Sequence, residues 1–230
     1  MRGLEERTQE DNEVLNTADG NRTSDTTGGV IHWAAGYDLL VWLLMLGRER
    51  AFREKIVRLA RLEPGESVVD VGCGTGTLAI AAKRAVGAKG AVYGVDASPE
   101  MIARARKKAK RAGIEVVLEQ AIAEALPFPD GQFDCVMISM TLHHLPSEAR
   151  RRCVREIRRV LKPGGRLLAV DLGGSGREAR GLISHFHRHM RFDVLEVIPM
   201  LNEAGLESVE SGEVGFRDLK FVRATAATVA

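Results

Sequence analysis

A chain of 230 residues, 45% of them hydrophobic and 28% charged, is long enough to bury one continuous core without structural metal or cross-links. The 33 basic residues against 31 acidic ones leave a formal charge of +2, which gives a polyanionic partner no footing and sets nucleic acid aside. The cysteines, Cys73, Cys135 and Cys153, stand far apart with no C-x-x-C pair; this argues against a disulfide framework and a zinc ribbon and fits a reducing cytoplasm.

Residues 1–29 are polar and lack the apolar core of a secretory signal, so they read as a mobile tail. Residues 30–230 read as a single domain, opened by a helical lid over about 30–62, with helices expected at Tyr37 to Leu46 and Arg48 to Leu62. The apolar run Leu39 to Leu46 falls far short of the roughly 20 residues that span a bilayer, so no transmembrane segment is expected. It reads as a buried helix closing the domain, with a substrate-facing lid as the alternative. Pro64-Gly65 stops the helical pattern.

From there short β-rich runs alternate with helical stretches, the pattern of βαβ units around a parallel sheet. Strands are expected at Ser67 to Val71, Ala91 to Val95, Glu115 to Glu119, Phe133 to Ser139 and Arg166 to Asp171. A helix after the second strand is framed by Ser98 as cap, Pro99 in the first turn and Gly113 as terminator. Its basic end, Lys107 to Arg111, and the arginines between Arg150 and Arg159 read as solvated faces rather than a nucleic-acid surface. A further helix is expected at Arg191 to Ala204, then strands at Leu206 to Glu210 and Val214 to Val222 with a turn around Ser211-Gly212.

The first strand runs through Asp70-Val71 into Gly72-Cys73-Gly74-Thr75-Gly76 and then a helical pattern, which places a ligand at the carboxyl edge of the sheet. A dinucleotide fingerprint, G-x-G-x-x-G, would need glycine at Thr77, so the spacing disfavours a nicotinamide cofactor. Asp96 ends the second strand, where its carboxylate can accept from two ribose hydroxyls.

These residues, with Leu126-Pro127-Phe128-Pro129, Phe133-Asp134 and Leu161-Lys162-Pro163-Gly164-Gly165 following in order, resemble the class I S-adenosylmethionine-dependent methyltransferases. Within that family the likeness is to the ubiquinone and menaquinone biosynthesis branch. The resemblance implies a Rossmann-like α/β fold: a seven-stranded, mostly parallel sheet with an antiparallel last strand and helices on both faces. It implies S-adenosyl-L-methionine as cofactor, with Asp70, Gly72, Cys73, Gly74, Gly76 and Ser139 around the methionine part. Asp96 would then take the ribose, with Ala97, Met101, Ala123 and Glu124 about the adenine. Ile122 stands where the family usually carries an acidic residue, which shifts adenine recognition towards Glu124, backbone or packing.

The expected acceptor is a small, hydrophobic or lipid-like molecule. His143 and His144 follow the fourth strand and either face the acceptor as catalytic groups or shape the loop. Tyr37, His185 and His189 are candidate substrate contacts; the last two share a helical face, but two histidines do not make a metal site and none is expected. Two other readings stay open: an NAD-dependent oxidoreductase, and a non-catalytic S-adenosylmethionine-binding protein.

Overall fold

The computed structural model describes residues 49–174, 192–216 and 218–228. The expectations for the tail, for the helix from Tyr37 to Leu46, and for Tyr37, His185 and His189 lie outside these residues.

The chain builds α1 (Glu49–Ala60), β1 (Ser67–Val71), α2 (Thr77–Val86), β2 (Ala91–Asp96), α3 (Pro99–Ala112), β3 (Val117–Gln120) and β4 (Phe133–Ser139). A short 3-10 turn, Leu142–His144, leads into α4 (Ser147–Val160), β5 (Leu161–Leu172), a second 3-10 turn at Val194–Val197, α5 (Ile198–Glu203), β6 (Leu206–Glu213) and β7 (Leu219–Ala226). The seven strands lie in the order β3-β2-β1-β4-β5-β7-β6, and β7 alone runs antiparallel to its neighbours. The expected sheet is therefore present in strand number and sense.

Alternation along the central strands decides which residues face which helices. Val68, Cys135, Met137, Leu168 and Val170 pack with Phe52 and Ile56 of α1 and with Leu78, Ala79 and Ala82 of α2. Their neighbours Val69, Val71, Val136, Ile138, Leu167 and Ala169 pack on the opposite face with Ala149, Cys153 and Ile157 of α4. The same parity turns Asp70 and Ser139 towards α1 and α2, and Asp171 towards α4. α1 buries Phe52, Ile56 and Ala60 at a spacing of four, a single apolar stripe on an otherwise charged helix. α3 starts and stops where expected: Ser98 Oγ accepts from Met101 N, and Gly113 ends the helix in the left-handed conformation.

Three local expectations change. The expected turn at Ser211-Gly212 is strand; Gly212 pairs with Phe221, and a Cβ there would lie 3.0 Å from the Phe221 ring. That glycine serves close approach, and the chain reverses after Glu213, where Val214 N donates to Leu219 O. The helix expected over Arg191 to Ala204, within its described part, is a 3-10 turn capped by Asp193 and followed by α5. Pro199, lacking an N–H, prevents one continuous α-helical ladder through this segment. Several α4 arginines bind protein as well as water: Arg159 donates to the Leu126 and Phe128 carbonyls and Arg150 to those of Leu142 and Leu145, while Arg152 and Arg155 are exposed.

Candidate active site

The glycine loop leaves β1 at the carboxyl edge of the sheet and enters α2. Gly72 has φ 70°, and a Cβ there would fall on the Thr141 side chain that follows β4. Gly76 has φ 77°, and its Cβ would come within 2.9 Å of Ala105 on α3. Both positions therefore need glycine for conformation and for space. Asp96 closes the loop: its Oδ2 accepts from Gly74 N at 2.8 Å and its Oδ1 from Ser98 N at 2.9 Å. Burial raises its pKa against these bonds, and each oxygen retains a second lone pair for a ligand hydroxyl.

Asp70, Ser139 and Arg53 meet beside the loop, around a small cleft that Gly72, Gly74 and Met140 also line. Asp70 Oδ2, Ser139 Oγ and Arg53 Nε are buried, and each lacks a hydrogen-bond partner among the described residues. Burial pushes the Asp70 carboxyl up to about 7, with Asp96 adding to the rise and Arg53 opposing it. Unpartnered buried polar atoms are costly, and three around one cleft are what a ligand with both acidic and basic groups would satisfy. An amino-acid end meets that description: its ammonium suits Asp70 and its carboxylate suits Arg53.

The chain leaves β4 through Met140, whose φ of 56° is strained for a residue with a side chain. Thr141 then lies against Gly72, and its hydroxyl donates to Ser139 O at 3.1 Å. In the 3-10 turn that follows, His143 Nδ1 lies 2.7 Å from Asp171 Oδ1 at the end of β5. The His144 ring centroid is 3.9 Å from that of His143; burial, reinforced by His143, holds the His144 pKa down to about 4.

On the other side of the loop, Gln120 Nε2 donates to Ala97 O and Ala121 N to Asp96 O, which joins the ends of β2 and β3. This brings Ala97 and the segment carrying Ala123 and Glu124 to the same edge; Met101 is buried in the first turn of α3. Glu124 Oε2 is buried without a partner among the described residues, and its charge adds to the upward push on the Cys153 thiol, placing the side chain towards α4. The Cys73 thiol is buried beside Ile80, Ile102 and Leu118 and pushed well above its usual range, so it offers backbone to the loop and no thiolate. Among the described residues no group of three potential metal ligands occurs.

Three participants at this edge were not singled out from the sequence, Arg53, Thr75 and Asp171, and a fourth, Lys108, was expected on a solvated face but is part-buried against the loop. Lys108 Nζ donates to the hydroxyls of Thr75 and Thr77 at 2.7 and 2.9 Å, bracing the loop from α3. Thr77, which breaks the dinucleotide spacing, thus has a use of its own. Asp171 carried a readable signal, an acidic residue closing a strand just as Asp70 and Asp96 do. Arg53 carried none, since a charged residue on an amphipathic helix is ordinary.

Comparison with known proteins bears on this edge. Residues 68–165 match the family model described as a methyltransferase domain. The demethylmenaquinone methyltransferase of Thermus thermophilus is 40% identical over 162 residues, 69% of this chain and 72% of the relative. The chain belongs to the class I S-adenosylmethionine-dependent methyltransferases. A ubiquinone/menaquinone biosynthesis C-methyltransferase from Enterobacter is 31% identical over 81% of this chain and 85% of its own length. Among solved structures, an S-adenosylmethionine-dependent methyltransferase from Aquifex aeolicus superposes with TM-score 0.64 at 29% identity, covering 76% of this chain and 89% of that one. The [4+2]-cyclase SpnF superposes at 0.66 with 22% identity, covering 77% and 81%, a likeness of fold alone. Membership as a methyltransferase sets the NAD-dependent and non-catalytic readings aside and gives S-adenosylmethionine as the cofactor, a molecule whose amino-acid end carries the acidic and basic groups that the unpartnered atoms of Arg53 and Asp70 suit.

Proposed function

We propose that this methyltransferase acts on a small, hydrophobic acceptor of the quinone-precursor type, reduced to its dihydroxy form. The acceptor class rests on the 40% identity to a demethylmenaquinone methyltransferase over 72% of that relative. No helix of the described residues is long and apolar enough to cross a membrane.

The donor end of the site is read from the unpartnered atoms. Arg53 receives the carboxylate of the methionine moiety, Asp70 its ammonium, and Ser139 a further polar contact, while the Gly72 to Gly76 backbone passes beneath. Asp96 accepts from the ribose hydroxyls, and Ala97, Met101, Ala123 and Glu124 border the adenine. Bound there, S-adenosylmethionine supplies a methyl group already activated by its sulfonium. The protein's own contribution is to hold the acceptor in line and exclude water, and alignment of this kind is worth about 7–11 kcal/mol in favourable cases. The acceptor approaches the edge formed by the ends of β4 and β5, where His143 and His144 stand.

Transfer of radiolabelled methyl from S-adenosylmethionine to demethylmenaquinone reduced with dithionite tests this reading. Labelled ring-methylated product is expected. Label appearing only in polar products from a cell extract would move the acceptor out of the quinone class.

A further inference from the structure

We propose that Asp171 and His143 form a proton-accepting pair, in which Asp171 is the positioning residue and His143 Nε2 takes the proton that the acceptor gives up. The proposal rests on the methyltransferase reading above and adds to it a second active element on the sheet edge.

Asp171 is fully buried at the penultimate position of β5, and its carboxylate gathers three donors. Oδ1 accepts from Leu172 N at 2.8 Å and lies 2.7 Å from His143 Nδ1; Oδ2 faces His143 N at 3.4 Å. A carboxylate so placed requires hydrogen on Nδ1, which fixes the tautomer and leaves Nε2 as the ring's acceptor. Nε2 has no hydrogen-bond partner among the described residues. The side chains of His143 and Asp171 are 5% and 1% exposed, so little water comes between the carboxylate and the ring. The other charged or titratable groups nearby compete little: His144 stays neutral, Arg150 of α4 is held by the Leu142 and Leu145 carbonyls, and Lys220, beside Asp171 on β7, turns its amine to Asp193.

The balance is simple. An acceptor that gains a methyl cation must lose one proton to end neutral. His143 Nε2 takes the proton of an acceptor hydroxyl, and the O–H electron pair stays on oxygen and enriches the ring. As a ring carbon bonds the methyl, the methyl–sulfur bond breaks with its pair left on sulfur, the ring C–H proton then passes through water to the oxygen, and the one proton lost in all stays on the imidazolium against Asp171. The proton passes to water after product leaves. In the chain His143 follows Ser139 and Met140, which line the cleft, and Thr141 between them lies against Gly72 of the glycine loop, so the pair sits at the same carboxyl edge of the sheet.

The test uses full-length protein labelled with nitrogen-15 at histidine, and assays with dithionite-reduced demethylmenaquinone. The wild-type His143 spectrum is expected to show a protonated Nδ1 and an unprotonated Nε2. Asp171→Asn should shift that tautomer and lower kcat about 10²–10⁴-fold, the range general for a lost or misoriented proton acceptor, with S-adenosylhomocysteine affinity held within threefold. His143→Gln should lose as much, and the double variant little more than either alone. An unprotonated Nδ1 in the wild type, or turnover within threefold of wild type in both single variants, overturns the pair. If the wild type binds S-adenosylhomocysteine but does not methylate this acceptor, the acceptor class fails, and the pair stands or falls on the nitrogen spectrum.

Discussion

The two ends of the sheet are built to opposite rules. At the amino ends of the strands the charged side chains are paired, and the one buried polar atom among the described residues there that lacks a partner is the neutral Gln132 Oε1, just before β4. Arg166 at the start of the β5 ladder donates to both Glu66 oxygens and to the carbonyls of Ala60 and Arg61, tying the strand to the end of α1. Asp134 accepts from Ser67 N and Lys162, which holds its carboxyl below the usual range; Glu156 beside Arg159 is lowered likewise. At the carboxyl ends, Asp70 and Asp96 are raised and three buried polar atoms around one cleft go unpartnered. One end stabilises the fold, and the other holds interactions open for a ligand.

Breaking this contrast gives directed effects. The largest is expected at Asp70. Its folded pKa is raised from 3.8 to about 7, so the folded state keeps a proton that the unfolded state releases, and stability falls as pH rises from about 4 to about 7. Asp70→Asn should therefore stabilise the ligand-free protein by up to about 4 kcal/mol at pH 8 and change little at pH 4, while weakening cofactor binding. Denaturant melts at the two pH values check this; an equal shift at both would refute the buried-carboxyl account.

Next comes Arg166→Met at the other end. Leaving Glu66 and two carbonyls without their donor should cost about 2 kcal/mol of stability with no change in cofactor affinity. A smaller effect, about tenfold in affinity, is expected for Arg53→Met, visible with S-adenosylmethionine and absent with its decarboxylated analogue, because only the former carries the group that Arg53 receives. Equal weakening of both would move the carboxylate elsewhere.

Most of the strand plan was legible because the short β-rich runs, buried on both faces of a parallel sheet, and the turn residues between them are local signals. Ser67–Val71 and Phe133–Ser139 match their expected bounds, and the helix from Ser98 to Gly113 carries its own cap and stop. The misreadings came where one residue type serves two purposes. Gly212 looked like a turn and makes room for Phe221. The arginines of α4 looked solvated because a helical wheel cannot see the carbonyls of a neighbouring loop. Asp70, Asp96 and the glycines of the loop were readable from their place at strand ends. Arg53 and the tie between Asp171 and His143 were not, since they join segments 17 and 28 residues apart through the fold.

Calorimetric titration with S-adenosylmethionine, on the wild type and on Asp96→Ala, tests the placement of the cofactor most directly. One site per chain is expected in the wild type, with affinity reduced about 100-fold in the variant, for the loss of charge-assisted bonds to the ribose, and with a folded protein in both. Unchanged affinity in Asp96→Ala would contradict the site described at the carboxyl edge of the sheet.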